Sequence, residues 1–184
     1  MSRIRIGGVV LGAALLLGGG AALAADAGKA AKLDRDGRAA VSKLTSANPG
    51  AKAISGKAVA VLVFPNITKA GLMVGGQSGD GVLIKGGKTV AYYNTSGASY
   101  GLQAGAQQFG YAMFFMNEGA LKQLNKTGGF EVGAGPSIVV MDEAMAKTTT
   151  SITYDKDIYA FIFSQKGLMG GLGLQGNKIT RIKP

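Results

Sequence analysis

The sequence contains no cysteine, no histidine and no tryptophan among its 184 residues. Without cysteine the chain forms no disulfide, and it lacks the thiolate ligands of zinc and iron–sulfur centres as well as a thiol nucleophile. Without histidine it lacks the commonest general base of enzymes. The sequence therefore predicts a protein that is not an enzyme and that has no metal site and no cofactor.

Residue patterns typical of enzymes are also missing. The glycine-rich stretch from Gly75 to Gly81 lacks the G-K-[ST] ending of a phosphate-binding loop and does not open a helix. Two acidic clusters, Asp142-Glu143 and Asp155-Lys156-Asp157, lie between predicted strands, where aspartate is favoured for local turn bonding. No Ser-x-x-Lys pattern in a fitting context supplies a lysine-activated nucleophile.

Acidic residues are scarce: 10 Asp and Glu stand against 20 Lys and Arg, so the net charge is +10. A strongly basic protein attracts anionic lipid surfaces or nucleic acid. The sequence shows no recognition-helix pattern and no RNA-binding aromatic motif, so it does not indicate a nucleic-acid partner. We therefore expect an anionic phospholipid membrane surface as the partner.

The first 24 residues have the pattern of a signal peptide. Arg3 and Arg5 precede an apolar run from Ile6 to Leu17, and Ala22-Leu23-Ala24 matches a small-x-small cleavage site. An uncleaved membrane anchor is the alternative. Cleavage removes two arginines and no acid, which leaves 18 basic and 10 acidic residues and a charge of +8. We expect a single domain over residues 25–184, exported to the periplasm or cell envelope of a bacterium.

Glycine, with 31 residues, shapes the predicted strands. The apolar run from Val59 to Phe64 predicts a buried strand that ends at Pro65, which cannot donate to a ladder. A second apolar run begins at Gly71. It is interrupted by four glycines where side chains would crowd a neighbouring backbone or where a turn needs positive φ, namely Gly75, Gly76, Gly79 and Gly81. The two runs predict a tightly turned β unit.

The remaining pattern predicts an α+β fold that is mostly β, with an antiparallel barrel-like or sandwich sheet and a few packed helices. A β-hairpin spans residues 81–93, with the turn at Lys85-Gly-Gly-Lys88. Helices are expected at residues 29–46, ended by Asn48-Pro49-Gly50, and at residues 118–126, capped by Asn117. Further strands are expected at residues 111–116, 130–135, 136–141, 148–154, 158–164 and 177–183.

Residues 99–109 alternate with period two and place glycines and glutamines on one face of a predicted strand. Gln103 and Gln107 lie on that face. Two interpretations stay open. The amides bind a polar ligand at close backbone approach, or they bond neighbouring strands across a crowded interior.

Basic residues flank several predicted strands and form a candidate lipid-binding set. Such side chains can frame a phosphate headgroup, but scattered lysines are also an ordinary solvated surface. The candidates are Lys52, Lys57, Lys69, Lys85, Lys88, Lys178 and Arg181.

Three motifs in order resemble the SYLF domain family. The first is F-P, I-T-K-A-G, V-G-G and G-D-G-V-L within residues 64–83. The second, at residues 99–107, resembles S-x-G-x-Q-x-G-x-Q, and the third, at residues 164–176, resembles S-x-x-G-L-x-x-G-x-x-L-x-G. The resemblance spans roughly residues 41–182. It implies lipid binding, with phosphoinositides as targets in eukaryotes and actin binding in yeast members, and it implies no catalytic residue.

We therefore expect a non-enzymatic domain that binds anionic phospholipid surfaces in the cell envelope. The alternative is an envelope structural or interaction protein that binds a protein partner through a sheet edge or through the face of Gln103 and Gln107. The sequence leaves the lipid species and the oligomeric state open.

Overall fold

The computed structural model describes residues 18–126, 128–141, 155–166 and 176–184, with the side chains of all of these except residues 18–25, 72–74 and 99–105. Strands predominate, which confirms the mostly-β fold class. The helices are α1 (Gly18–Ala47), α2 (Pro49–Ser55) and α3 (Glu118–Lys122), followed by a 3₁₀ turn at Gln123–Asn125. The strands are β1 (Ala60–Lys85), β2 (Lys88–Phe115), β3 (Phe130–Glu131), β4 (Ile138–Met141), β5 (Ile158–Lys166) and β6 (Lys178–Ile182).

The long strands β1 and β2 form one antiparallel hairpin. They pair from Ala60 opposite Phe115 to Lys85 opposite Lys88. Gly86 and Gly87, with φ of 56° and 74°, make the two-residue turn, and positive φ at both positions is what a type I′ turn requires. The predicted hairpin is confirmed, and we call residues 85–88 the hairpin tip.

Strand β1 also bends back on itself. At about 3.3 Å per residue, a straight strand would hold Asn66 and Gly79 roughly 40 Å apart. Instead, a β-carbon placed on Gly79 would lie 2.6 Å from the carbonyl oxygen of Asn66, and one on Gly81 would lie 2.7 Å from that of Val63. The predicted crowding of glycines by neighbouring backbone is therefore correct at these two positions and at Gly75, where a β-carbon would collide with the Ala70 carbonyl oxygen. It is wrong at Gly76, where a β-carbon would meet no atom within 4 Å and φ is not positive.

Strand β2 bends in the same way. The Tyr111 hydroxyl donates a hydrogen bond to Thr95 Oγ1 over 3.0 Å, although the two residues are 16 positions apart in the strand. With the halves of β1 and β2 counted separately, the sheet is an eight-segment curled half-barrel. Its concave side is the inner face.

The remaining strands extend the sheet from β2. Residues 92–96 of β2 pair with β6, which pairs with β3, whereas residues 108–115 pair with β5, which pairs with β4. The predicted antiparallel arrangement holds for all described pairings except that of β4 with β5, which is parallel.

Two strand boundaries differ from prediction. The prediction that the first strand ends at Pro65 is wrong, because β1 continues through it with a register shift between Phe64 and Ile67. A bulge leaves a residue outside the regular ladder, so the missing proline N–H costs no ladder bond. The predicted strand at residues 111–116 is the end of β2 and not a separate element.

The first helix is longer than predicted and is followed by a second. α1 ends at Ala47, as expected from Asn48-Pro49-Gly50, but Pro49 then begins α2. The side chain of Asn48 accepts a hydrogen bond from Ala51 N over 3.0 Å, and proline is tolerated in the first turn because no helix acceptor awaits its N–H. The same three residues thus end one helix and begin the next, whereas their pattern predicts only the end.

The predicted signal peptide lies partly outside the described residues, since residues 18–24 belong to α1 and residues 1–17 are not described. Within the described part of the chain, no helix combines the length and hydropathy needed to cross a membrane.

The C-terminal elements follow the sequence closely. Asn117 caps α3 by accepting from Ala120 N over 2.8 Å, and the 3₁₀ turn completes the helix predicted for residues 118–126. The strands predicted at 130–135 and 136–141 are shorter, at Phe130–Glu131 and Ile138–Met141, and those at 158–164 and 177–183 are confirmed. The strand predicted at 148–154 and the acids Asp142-Glu143 lie outside the described residues.

Two apolar layers cover the two faces of the sheet. The inner core includes Leu62, Phe64 and Met113, and the outer core packs Val63 and Phe114 of the sheet against the helices α1 and α2. Gly37 lets α1 approach closely, because a β-carbon there would collide with Val82 and lie 3.2 Å from Val63. The helices therefore lie against the outer face, with α1 running up to the hairpin tip.

Candidate functional site

A groove of about 480 Å³ lies where α1, the end of α2 and the hairpin tip meet. We call it the tip groove. It is the place where several of the predicted basic residues come together. Its lining residues are Arg38, Val41, Ser42, Ser55, Ala58, Val59, Ala60, Val61, Ile84, Gly86, Gly87 and Phe114.

Arg38 on α1 holds the helix against the hairpin tip. Its Nη1 donates to the Gly87 carbonyl oxygen over 2.8 Å and its Nη2 to Thr89 Oγ1 over 3.1 Å. Its Nε donates to both carboxylate oxygens of Asp34, at 3.1 and 3.0 Å, and the Thr89 hydroxyl bonds Asp34 as well. The Arg38 side chain nevertheless stays 42% exposed, so it remains accessible to a ligand.

The same contacts determine the ionisation of Asp34. The hydrogen bond from Arg38, and next that from Thr89, hold the pKa of this carboxyl below its ordinary value, because both stabilise the carboxylate form. Asp34 is therefore a fixed negative partner of Arg38 at neutral pH.

The middle of the groove is apolar. Val41, Ala58, Val61 and Ile84 pack against the edge of the outer core and are only partly buried. Their remaining exposed surface faces into one concavity.

Three of the predicted lysines surround the groove. Lys85 and Lys88 flank the two glycines of the tip, which line it, and Lys57 lies between Ser55 and Ala58 on the opposite wall. Lys85 also pairs with Glu118 at 2.7 Å. Lys57, Lys85 and Lys88, with Arg38, form what we call the tip cluster.

Arg181 lies outside the lining of the tip groove and lines a different cavity. That cavity, of about 730 Å³, lies between the start of β2 and the end of β6. Burial raises the pKa of the nearby Tyr93 hydroxyl, and the positive charge of Arg181 opposes that rise. Of the predicted set, Arg181 is the one basic residue that lines this second cavity.

The other three predicted basic residues do not join the cluster. Lys52 is exposed on α2 and lines neither of the two cavities. Lys69 is opposite Gln107, toward the bend of the long hairpin, and Lys178 is opposite Ser96 at the start of β6. Sequence proximity to strand ends did not distinguish these lysines from those of the tip.

The predicted polar face contains Gln107, which is half-buried and opposite Lys69 on β1. Gln103 lies in β2, and its side chain is outside the described part of the structure. The sequence analysis missed Gln77, whose Nε2 donates to Asn177 Oδ1 over 2.7 Å in the buried interior. A β-carbon on Gly97 would collide with that Asn177 oxygen. This pair shows a polar interior contact that the glycines make room for.

Arg38 is the site residue that the sequence analysis missed. Its spacing to Asp34 is the i,i+4 spacing of a helix ion pair, so the sequence does predict that pair. Its contacts with residues 87 and 89 depend on where α1 crosses the sheet, which no local pattern indicates.

The second acidic cluster lies at a bend before β5, as predicted, but Asp157 bonds distant residues and not its own turn. Asp157 accepts hydrogen bonds from Asn117 Nδ2 at 2.8 Å and from the N–H and hydroxyl of Ser137, both at 2.9 Å. These bonds lower its pKa. Asp157 therefore links two loops to the start of β5.

Comparison with known proteins supports the resemblance found in the sequence. A model of the Ysc84 family, described as Las17-binding protein actin regulator and equivalent to the SYLF family, matches residues 96–183. A search of curated proteins found no match. The matched segment covers most of β2 and all later elements, whereas the tip groove lies largely before it.

Proposed function

Because the chain belongs, over residues 96–183, to the Ysc84 or SYLF family, we propose that it is a non-enzymatic domain that binds anionic phospholipid surfaces. The observation that carries the proposal is the convergence of the tip cluster, Arg38 with Lys57, Lys85 and Lys88, at one end of the molecule. A flat bilayer can meet all four cations at once only if they share one end of the protein.

The charges at this end favour an anionic surface. Each Lys or Arg near such a surface contributes about 1 kcal/mol, and the attraction decays within a Debye length of roughly 8 Å at physiological salt. Asp34 and Glu118 pair with Arg38 and Lys85 and offset part of the charge. Lys57 and Lys88 are exposed cationic residues at the same end.

The predicted signal peptide supports a location in the bacterial envelope, where anionic glycerophospholipid is abundant. We propose this location together with the lipid partner. Phosphoinositides and actin, which the family implies for eukaryotic members, are not the targets we infer for an exported bacterial protein.

A protein partner is the second candidate, since the family description names Las17 binding and actin regulation for its members. A sheet edge is a physical means of such binding, and β4 pairs only with β5 within the described residues. Binding by strand addition depends on backbone hydrogen bonds and should be insensitive to salt.

Co-sedimentation with liposomes tests the proposal. The protein, purified after expression of the full sequence, is mixed with vesicles of phosphatidylcholine alone and with vesicles that also contain phosphatidylglycerol. We expect binding to the anionic vesicles only, and a steep loss of binding at high salt. Equal binding to both vesicles, or no binding to either, would contradict the proposal.

The proposed absence of catalysis has its own test. Incubation with generic ester substrates and with phosphatidylglycerol vesicles should release no product above the rate without protein. Turnover that follows the purified protein through chromatography would show that the domain is an enzyme.

A further inference from the structure

The tip groove has an apolar floor that the fold leaves incompletely covered. Val41 from α1, Ala58 from the segment after α2, and Val61 and Ile84 from β1 are all partly exposed within it. Single exposed apolar side chains are ordinary on protein surfaces, but a concave group of them with a polar rim is typical of a ligand site.

The size and access of the groove fit part of a lipid. Its volume of about 480 Å³ falls within the roughly 300–1,000 Å³ of small-molecule sites. A β-carbon placed on Gly86 or Gly87 would meet no atom within 4 Å, so the space above the tip glycines is open. A flexible chain can therefore enter from the hairpin tip.

The rim of the groove fits a negative headgroup. Arg38, Ser42 and Ser55 supply the polar side chains of the lining, and none of the described lining residues is acidic. Asp34 is adjacent but is already bonded by Arg38 and Thr89. The lysines of the tip cluster extend the positive charge to the surface on both sides.

We propose that the tip groove binds one acyl chain of an anionic phospholipid, with the chain along Val41, Val61 and Ile84 and the phosphate beside Arg38. This inference rests on the proposed function and makes it more specific. The lysines attract the membrane surface, whereas the groove takes up a tail from it. The domain then recognises both parts of the same molecule.

Binding of monomeric lipid tests the inference. Short-chain phosphatidylglycerol, kept below its critical micelle concentration, is titrated into the protein purified after expression of the full sequence, and heat is measured. Glycerol phosphate and short-chain phosphatidylcholine serve as the headgroup-only and uncharged controls. We expect the anionic lipid to bind about tenfold or more tightly than either control, because it alone uses the apolar floor and the cationic rim.

A matched pair of variants locates the site. Ser42→Phe puts an aromatic ring into the groove, whereas Ala39→Phe puts the same ring on an exposed position of α1 outside the lining. We expect Ser42→Phe to weaken monomer binding by about tenfold or more and Ala39→Phe by about twofold or less. Binding of Ala39→Phe to anionic vesicles should stay within about twofold of the original, because neither the lysines nor the groove is changed.

The possible results separate this inference from the function on which it rests. Vesicle binding without binding of monomeric lipid would overturn the inference and leave the proposed function standing. The absence of both kinds of binding would overturn the inference and the proposed function together. Glycerol phosphate that binds as tightly as the lipid would show that the tail makes no contact. Equal effects of the two variants would place the lipid elsewhere.

Discussion

Arg38 links two parts of the chain that lie 49 residues apart, through its hydrogen bond to Gly87 O. Hydrogen bonds of a charged group contribute about 1.5–3 kcal/mol when protected. The 42% exposure of this side chain reduces that contribution through solvent screening. The residue thus fixes the position of α1 over the groove more than it stabilises the fold.

Replacement of Arg38 by alanine should lower the free energy of unfolding by about 1–2 kcal/mol, measured by urea denaturation. Arg35→Ala is the matched control. Arg35 is 72% exposed, and its Nε lies 3.7 Å from Asp36 Oδ1. Its loss should change stability by about 0.5 kcal/mol or less. Equal losses from the two variants would show that Arg38 does not hold the helix to the tip.

Stability should also depend on pH through Asp34. Its pKa in the folded state is below the ordinary value of 3.8, so the stabilisation is complete above that value and disappears as the pH falls through the lower, folded value. The advantage of the original protein over Asp34→Asn should therefore be greatest near neutral pH and should shrink in acid. Urea midpoints at several pH values measure it.

The Arg38→Gln background provides the control for that pH dependence. Without the guanidinium, the pKa of Asp34 should lie closer to its ordinary value, and the Asp34→Asn comparison should vary less with pH. An unchanged pH dependence in this background would show that Arg38 is not the cause of the lowered pKa.

At the scale of elements, the bend of the long hairpin depends on glycines that allow backbone contact. Gly79 and Gly81 approach the carbonyl oxygens of Asn66 and Val63 at distances that no β-carbon tolerates. The sequence analysis attributed these glycines to such crowding, because side chains are absent where another backbone comes near. Which segment approaches was not predictable, since a local pattern does not indicate where the bend brings the second half of β1.

Gly79→Ala should destabilise the fold by about 1–3 kcal/mol, because the added methyl group must displace the backbone of Asn66. Gly76→Ala is the matched control from the same strand. A β-carbon there meets no atom within 4 Å, and Gly76 has no positive φ. Thermal or urea unfolding of the two variants measures the difference. Equal stability would show that the halves of β1 do not approach as described.

The first strand does not end at Pro65 as its local sequence predicts. Proline removes one donor from the ladder, and a regular strand would stop there. In this fold a register shift between Phe64 and Ile67 absorbs the loss. Whether a bulge replaces a strand end depends on the partner strand β2, which a local pattern does not include.

At the scale of the whole molecule, the sequence allowed the site to be predicted only in part. Lys85 and Lys88 were placed at a hairpin tip, because Gly-Gly between two apolar runs is a specific turn signal. The approach of Lys57 and Arg38 to that tip follows from the crossing of α1 and α2 over the outer face. Long-range packing sets this crossing, so the sequence analysis included Lys52, Lys69 and Lys178 without a means of separating them.

The most direct measurement of the central claim is co-sedimentation with phosphatidylglycerol vesicles for two double variants of equal charge change. Lys57→Glu/Lys88→Glu reverses two exposed lysines of the tip cluster, and Lys166→Glu/Lys178→Glu reverses two exposed lysines away from it. We predict that the tip variant loses most of its binding at about 0.1 M salt, by about tenfold or more. The other variant should lose much less, because attraction decays within roughly 8–10 Å under this condition. Equal losses would mean that net charge alone attracts the protein to lipid and that the tip is not the binding surface.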